Sequence, residues 1–379
     1  MLIHKAFKYE LSPTPRQEVM FRKTAGCARH VYNWALNQAG EIRSQSGKLP
    51  SFKALSRMVT QHKNDQEFDW LNEVQAVALF DSVKDLHNAF QRFFSKKARY
   101  PAFKKKGRRD SFTIARNKKE AASILVDGRH FRIPKIGIVR TKEKVSIAGT
   151  ALNATVSREA DRWFIAVACE VEIPTPRPVD GPAVGIDVGL IHFAVLSDGT
   201  KIEAPRPLAA HLRRLKRIQR QHSKKRKGSA NRRKSALRIS RLHWRIKNIR
   251  NDFAHKLSTH LAKTKSVIAV ENLKIQNMQK NEHLARSISD VSWYAFTQML
   301  DYKTKWYGSR LVRADAWYPS SKICSACGFK IESLPLRVRT WTCPSCEAQH
   351  DRDVNAAKNL EKIAYESTAG QAESDACGV

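Results

Sequence analysis

Two Cys-x-x-Cys pairs, Cys324/Cys327 and Cys343/Cys346, lie 15 residues apart near the end of the chain. Each pair turns two thiolates toward one centre, and four thiolates fill the tetrahedral shell of zinc, leaving no open position for a substrate. The spacing therefore predicts a zinc ribbon with a structural ion, in preference to redox pairs. The segment that follows, "EAQHDRDVNAAKNL", begins a helical pattern with two acids, Asp351 and Asp353. On a helix across 353–364, Ala356, Ala357, Leu360 and Ala364 share the face of Asp353. Asp351 aligns instead with Val354, Asn355, Lys358 and Lys362, a mostly polar side. The expectation is that Asp353 points into a core from a helix whose alanines let it lie close to a sheet. Asp351 is expected to cap that helix and face its dipole.

Two further acids end apolar strands: Asp187 in "AVGIDVGL" and Glu271 in "SVIAVE". Carboxylates rarely sit among apolar residues unless something offsets their desolvation. Taken singly, each also reads as an ordinary acid at a strand end. Three buried acids together, two from strands and one from a late helix, suit magnesium, because two such ions need shared carboxylate bridges to act on both sides of a phosphodiester. An RNase H-like α/β sheet can bring them together. The ions activate water themselves, so no Ser or Cys nucleophile is needed. His192 and His350, nearby in sequence, read as structural.

The charge balance points the same way. Sixty-nine Lys and Arg against 35 Asp and Glu give a net charge of +34 over 379 residues. Such a field resists a compact fold unless a polyanion neutralises it. The basic residues are spread along the whole chain and not gathered beside an apolar anchor, which favours nucleic acid over a membrane. No stretch reaches the length of a membrane span, and "MLIHKAFKYELSPTP" lacks the apolar core of a signal peptide. The expected setting is the cytoplasm or the nucleoid. Cys27, Cys169 and Cys377 read as free thiols in a reducing compartment.

Along the chain, "HKAFKYEL" alternates as a strand, and a helical stripe runs from about Pro15 to Ala39 through Val19, Phe21, Ala25, Ala28, Val31, Tyr32 and Leu36. Two more helices are expected before residue 97. A basic, Pro- and Gly-punctuated loop follows, with Lys104, Lys105, Arg108 and Arg109 beside Tyr100 and Phe103. It reads either as a solvated linker or as a loop that stacks bases and meets phosphates. Short strands fill 111–172 as a small barrel-like module. Between 205 and 264 acids almost vanish, and two helices carry Arg213, Arg217, Arg232, Arg233, Arg241 and Arg245. Such unbalanced arginine density suits a nucleic-acid backbone groove. The segment 367–379 reads as a disordered tail.

Taken together, "GIDVGL", "VENL" and "HDRDVNAAKN" are similar to the three parts of a split RuvC nuclease site, with the Cys quartet just before the third. With the N-terminal "YELSPTPRQEVMFRKTAGCARHVYNWALN", the chain resembles the TnpB (OrfB) family, transposon-encoded relatives of type V CRISPR effectors. The resemblance spans nearly the whole chain. It implies a guide RNA from the transposon end, a double-stranded DNA target cut beside a short adjacent motif, and no membrane partner. It implies catalysis by Asp187, Glu271 and Asp353 with two Mg ions, and one zinc held by Cys324, Cys327, Cys343 and Cys346. The implied multidomain α/β architecture has a wedge (β) domain at 1–14 and 98–175, split around a helical recognition domain at 15–97. An RNase H-like RuvC domain at 183–318 and 348–366 is interrupted by the ribbon at 319–347. A nuclease-silent, RNA-guided DNA-binding repressor and a CRISPR-associated effector of the same fold are the alternatives. The three intact acids weigh against the first, and only neighbouring genes separate the second.

Overall fold

The computed structural model describes residues 1–335 and 337–376, and Cys377 lies outside the described residues. The chain forms two units that divide between Ile173 and Pro174. The first unit comprises strand β1 (Leu2–Ser12), helix α1 (Pro15–Ser46), α2 (Phe52–Asn64), a 3₁₀ segment (Gln66–Glu73) and α3 (Ala76–Phe94). It continues with β2 (Ser111–Ala115), α4 (Lys118–Ala122), β3 (Leu125–Asp127), β4 (His130–Ile133), β5 (Gly137–Thr141), β6 (Thr150–Glu159) and β7 (Arg162–Glu172).

Local chemistry sets the long first helix. Thr14 accepts from the Gln17 amide while the Gln17 side chain accepts from the Thr14 amide, and Pro15 presets the first turn. The apolar stripe predicts an end near Ala39, but the helix runs on to Ser46. Gly40 keeps helical backbone, and the stop comes only at Gly47, whose φ of +70° ends the ladder. Val19, expected in the stripe, is 61% exposed, whereas Phe21 is fully buried between Phe112 and Trp163, with ring centroids at 5.9 and 5.0 Å. Strand β1 pairs antiparallel with β7 from Leu2↔Glu172 to Leu11↔Trp163. Chain from before and after the helices therefore shares one seven-stranded sheet, ordered β2-β6-β7-β1-β5-β4-β3. Its edges, β2 and β3, do not pair with each other among the described residues, so the sheet is open where a barrel-like module was expected.

The second unit comprises β8 (Val184–Asp187), β9 (Ala194–Leu196), β10 (Lys201–Ile202), α5 (Pro207–Ser223), α6 (Ala230–Thr264), β11 (Val267–Val270), α7 (Ile275–Met278), α8 (Ala285–Val291) and α9 (Trp293–Tyr307). It ends with β12 (Arg310–Arg313), β13 (Thr340–Thr342), β14 (Gln349–Asp351) and α10 (Arg352–Ala376). The segment expected as a disordered tail from 367 is helical to Ala376. The mixed sheet runs β10-β9-β8-β11-β12. Strands β8 and β9 form a hairpin, and β8, β11 and β12 are parallel.

Strand alternation assigns the two faces of this sheet. Val184 and Ile186, with Ile268 and Val270, join Leu261 of α6 and Phe296 and Leu300 of α9 in one core. Val267 and Ala269 pack instead with Leu360 and Ala364 of α10. Gly185 shares that second face, and α10 lies so close that a Cβ there would sit 1.9 Å from the Ala357 carbonyl oxygen. Continuing the same alternation, Asp187 and Glu271 leave their strands on the α10 side.

Gly185→Ala should therefore lower the melting temperature, costing about 1–3 kcal/mol or more because backbone, and not a flexible side chain, must yield. Gly40→Ala, whose Cβ meets nothing within 4 Å on a helix, should raise it by about 0.5–1 kcal/mol. Thermal unfolding of the two variants checks the contrast, and equal effects would contradict it.

Candidate active site and metal centre

Three acids reach the α10 side of the second sheet from three elements. Asp187 is the last residue of β8, Glu271 follows β11, and Asp353 lies in the first turn of α10. Burial pushes the Asp187 carboxyl well above its ordinary value of 3.8. Glu271 and then Asp353 push it further, and Arg352 and Arg339 pull it back only in part. Burial and clustered like charge thus act in the same direction on Asp187. The other two carboxylates have partners of their own. Ser320 Oγ donates to Glu271 Oε1 at 2.5 Å, and Arg339 leans on Asp353 at 3.4 Å.

Asp351 does different work. Its Oδ1 accepts from the amides of Asp353 and Val354 at 3.0 and 3.2 Å, capping α10, and its Oδ2 takes the Lys201 ammonium at 2.7 Å. Burial alone would raise its pKa, but Lys201 and the two amides hold it below the ordinary value. Ala356, Ala357, Leu360 and Ala364 are all buried on the face shared with Asp353.

The face with Asn355 keeps Lys358 and Lys362 exposed, as its mostly polar character suggested, but its amide is not solvated. Asn355 and Asn359 are buried, and both donate to the Ile323 carbonyl, at 2.7 and 2.6 Å. Asn359 also donates to Ser320 O at 2.8 Å, and Asn355 Oδ1 accepts from the Ser325 amide. Helix α10 thus grips the first cysteine knuckle and, through Ser320, the residue that holds Glu271. Two asparagines four apart, in a run otherwise rich in alanine, were the available signal for this clamp.

The four thiol sulfurs of Cys324, Cys327, Cys343 and Cys346 lie within 4.8 Å of one another. Cys324–Cys346 and Cys327–Cys343 are each 3.6 Å apart, close to the separation of about 3.8 Å that tetrahedral Zn–S bonds impose. The donor set fits a closed zinc site. His350 Nε2 rests 3.0 Å from Cys324 Sγ, beside the Trp341 ring, and His192 pairs with Glu203. The three acids are not drawn together as tightly as the thiols.

The basic residues divide into two kinds. Lys104 is engaged by Asp85 and the Tyr32 ring, while Lys105, Arg108 and Arg109 are exposed. Tyr100 stacks edge-on against Phe90 and Phe93, and Phe103 is exposed. Arg213, Arg217, Arg233, Arg241 and Arg245 are exposed on α5 and α6. Arg232 serves the turn between those helices, where it donates to His222 O and Lys225 O at 3.1 and 2.7 Å, and Arg233 joins it by donating to Gly228 O at 3.2 Å. A cleft of about 310 Å³ between the two helices is lined by Arg214, Arg238, Arg241 and Arg245. Arg214 and Arg238 were not distinguishable from their neighbours by spacing. Arg250 and the amides of Leu208 and Ala209 all converge on Asp290, which fixes the start of α5.

Without metal, Asp187 binds its proton more tightly in the folded state than in the unfolded chain. Its contribution to stability is therefore lost as pH rises from about 3.8 through the folded pKa. Asp187→Asn should flatten that part of the metal-free stability–pH curve. Asp351 has the opposite sign, adding stability that disappears as pH falls through its lowered pKa. Asp351→Ala should cost about 0.5–2 kcal/mol through the lost cap. Chemical denaturation in chelator across the acid range reads both effects, and a wild-type curve unchanged by Asp187→Asn would contradict the first.

Comparison with known proteins matches this geometry to relatives. Residues 166–282 match a family described as "Probable transposase", and 293–360 match "Cas12f1-like, TNB domain". Residues 1–48 match a "Helix-turn-helix domain", although here that segment is strand β1 and the single helix α1. A "Putative RNA-guided DNA endonuclease" of Streptomyces pristinaespiralis is 40% identical over 94% of this chain and 89% of its own length. InsQ of Escherichia coli K12, which bears the same description, is 34% identical over 94% and 91%. The "TnpB-like protein L79" of Acanthamoeba polyphaga mimivirus is 32% identical over 33% of this chain and 25% of its own. A solved structure, the "Cas12f1-sgRNA-target DNA complex", shares the fold at 13% identity, with a TM-score of 0.59 over 95% of this chain and 99% of that one. Full-length identity to the bacterial relatives, with the acids and cysteines in the segments that match, makes this chain a member of the TnpB (OrfB) family.

Proposed function

We propose that the chain is an RNA-guided DNA endonuclease of transposon origin that cleaves double-stranded DNA beside a short adjacent motif. The observation that carries the reading is the convergence of Asp187, Glu271 and Asp353 on one face of the second sheet, with the ionised form of Asp187 disfavoured by burial and further by the other two. In an RNase H-like, RuvC-type site these residues would hold two magnesium ions, and the donor set fits, being all hard carboxylate oxygen. Bound ions would supply Lewis-acid stabilisation of the phosphodiester and a nucleophile from water.

The protein's own groups prepare that chemistry. Ser320 fixes one oxygen of Glu271, so this acid presents the other. Arg339 and Arg352 temper the negative cluster without neutralising it. The N-cap at Asp351 holds the first turn of α10, and with it Asp353, in register with the sheet. The arginine-lined cleft between α5 and α6 suits a nucleic-acid backbone, with protein contacts reading shape while base pairing reads sequence. The zinc ribbon is structural, with no role in the reaction beyond holding the chain that enters α10. The β unit and its helical insertion would act as wedge and recognition domains. The guide RNA would come from the transposon end, and the prokaryotic cytoplasm would be the working compartment.

The test is to express the protein with its flanking DNA, sequence the RNA that copurifies, and assay plasmid cleavage beside randomised motifs. RNA should copurify, and cutting should require Mg²⁺. Asp187→Asn, Glu271→Gln and Asp353→Asn should each slow cutting at least about a hundredfold, the lower range for losing one group of a preorganised charged site. Asp351→Ala should retain far more activity than Asp353→Asn. If no RNA copurifies the guide reading fails, and if all three acid variants cut normally the site is wrong.

A further inference from the structure

The sheet edge that carries Glu271 also carries two large aromatic side chains that face solvent. Strands β11 and β12 are parallel with Val270 opposite Arg313, so the segment after β12 leaves the sheet at the same edge as Glu271. That segment is tied back to the acid by the Ser320–Glu271 hydrogen bond. Between the two anchors, the Trp317 amide donates to Asp315 Oδ1 at 2.9 Å and the Tyr318 amide to Asp315 O at 3.1 Å. The turn directs Tyr318 inward, where it packs with the α10 core, and leaves the indole of Trp317 86% exposed. Tyr294, in the first turn of α9, is 62% exposed.

Clefts border Tyr294 on the side of Glu271 and on the side of Lys274. A cavity of about 220 Å³ is lined by Glu271 itself with Tyr294, Gln298 and Arg313 and by the apolar Val270 and Phe296. It adjoins a second of about 520 Å³ lined by Leu273, Lys274 and Tyr294. The Lys274 ammonium lies 5.8 Å from the Trp317 ring centroid, within cation–π range. The exposed indole, with a cation at its face and on a segment hydrogen-bonded to Glu271, offers a flat ring to a ligand. Aromatic rings beside a cation and amide side chains match an unpaired nucleic-acid strand, whose bases stack while its phosphates meet the ammonium. A duplex hides its base faces and could not use the rings.

We propose that Trp317 and Tyr294 form a stacking subsite for the bases of single-stranded DNA next to Glu271, with Lys274 contacting the adjoining backbone. The subsite rests on the nuclease reading above and deepens it: the strand reaches the acids unpaired, and the rings hold its bases beside them. Trp317 is a binding residue and does not touch the reacting phosphate.

The test uses the full guide complex in two arms. In the first, carrying Asp187→Asn so that the DNA stays intact, the probe is an oligodeoxynucleotide with 2-aminopurine next to the cut position. Its emission should be quenched in that complex, recover when Trp317→Ala is added, and stay quenched with Trp317→Phe. In the second, cutting-competent complexes are given oligodeoxythymidylate. Trp317→Ala should raise KM about tenfold to a hundredfold, the range for losing one stacked base, with kcat little changed and with rescue by Trp317→Phe. Tyr294→Ala should act in the same direction. If the wild-type complex cuts and Trp317→Ala matches it in KM and in quenching, the subsite is refuted while the nuclease reading stands. If the wild-type complex cuts no DNA, the nuclease reading fails, and the quenching arm still decides whether the rings stack bases.

Discussion

The contact on which the second unit depends is the passage of helix α10 across strand β8 at Gly185. Any side chain there would collide with the Ala357 carbonyl, so the helix lies against the strand backbone to backbone. The close approach is reinforced where Ser197 joins the two elements, donating to Glu361 at 2.8 Å while accepting from the Gly185 amide at 3.3 Å. Because side chains alternate along a strand, the face that receives α10 at Gly185 is also the face on which Asp187 emerges two residues later. The same parity brings Glu271 there from β11. A helix one residue layer farther away would leave Asp353 out of reach of both.

Holding three carboxylates together is unfavourable without a cation, and the fold meets that cost with positional constraints. The raised pKa of Asp187 expresses the stress, while Ser320 and the Asp351 cap hold the other two acids in position. The zinc ribbon belongs to this scaffold as well as to itself. Asn355 and Asn359 run from α10 to Ile323 and Ser320, so the knuckle, the helix and the Glu271 anchor form one hydrogen-bonded assembly. Loss of a zinc ion from the four thiols should therefore disturb the acids through this link.

Much of this was legible in residue order. Spacing sufficed for the cysteines, because Cys-x-x-Cys knuckles are local and their geometry follows from tetrahedral coordination. Helical phase sufficed to separate Asp353 from Asp351, because small apolar residues mark only one side of α10. Phase gave no sign that Asn355 and Asn359 are buried, since a buried amide and a solvated one look alike until the partner carbonyls are known. It failed in the same way for Arg232, which serves the interhelix turn, and for Val19, which faces solvent from a helix whose core side was otherwise read correctly. The end of α1 was misjudged because Gly40 resembles a stop but has room to stay helical. The role of Trp317 was not visible at all, because exposure is a property of the turn after β12 and not of the indole.

The central claim is that Asp187, Glu271 and Asp353 form one divalent-metal site, distinct from the cysteine quartet. Anomalous diffraction from crystals grown with Mn²⁺ tests it most directly, with data collected on both sides of the manganese and zinc edges. The account predicts zinc signal among the four sulfurs and manganese signal bridging the three carboxylates, lost in Asp187→Asn crystals. Manganese bound elsewhere, or bound equally well after Asp187→Asn, would contradict it.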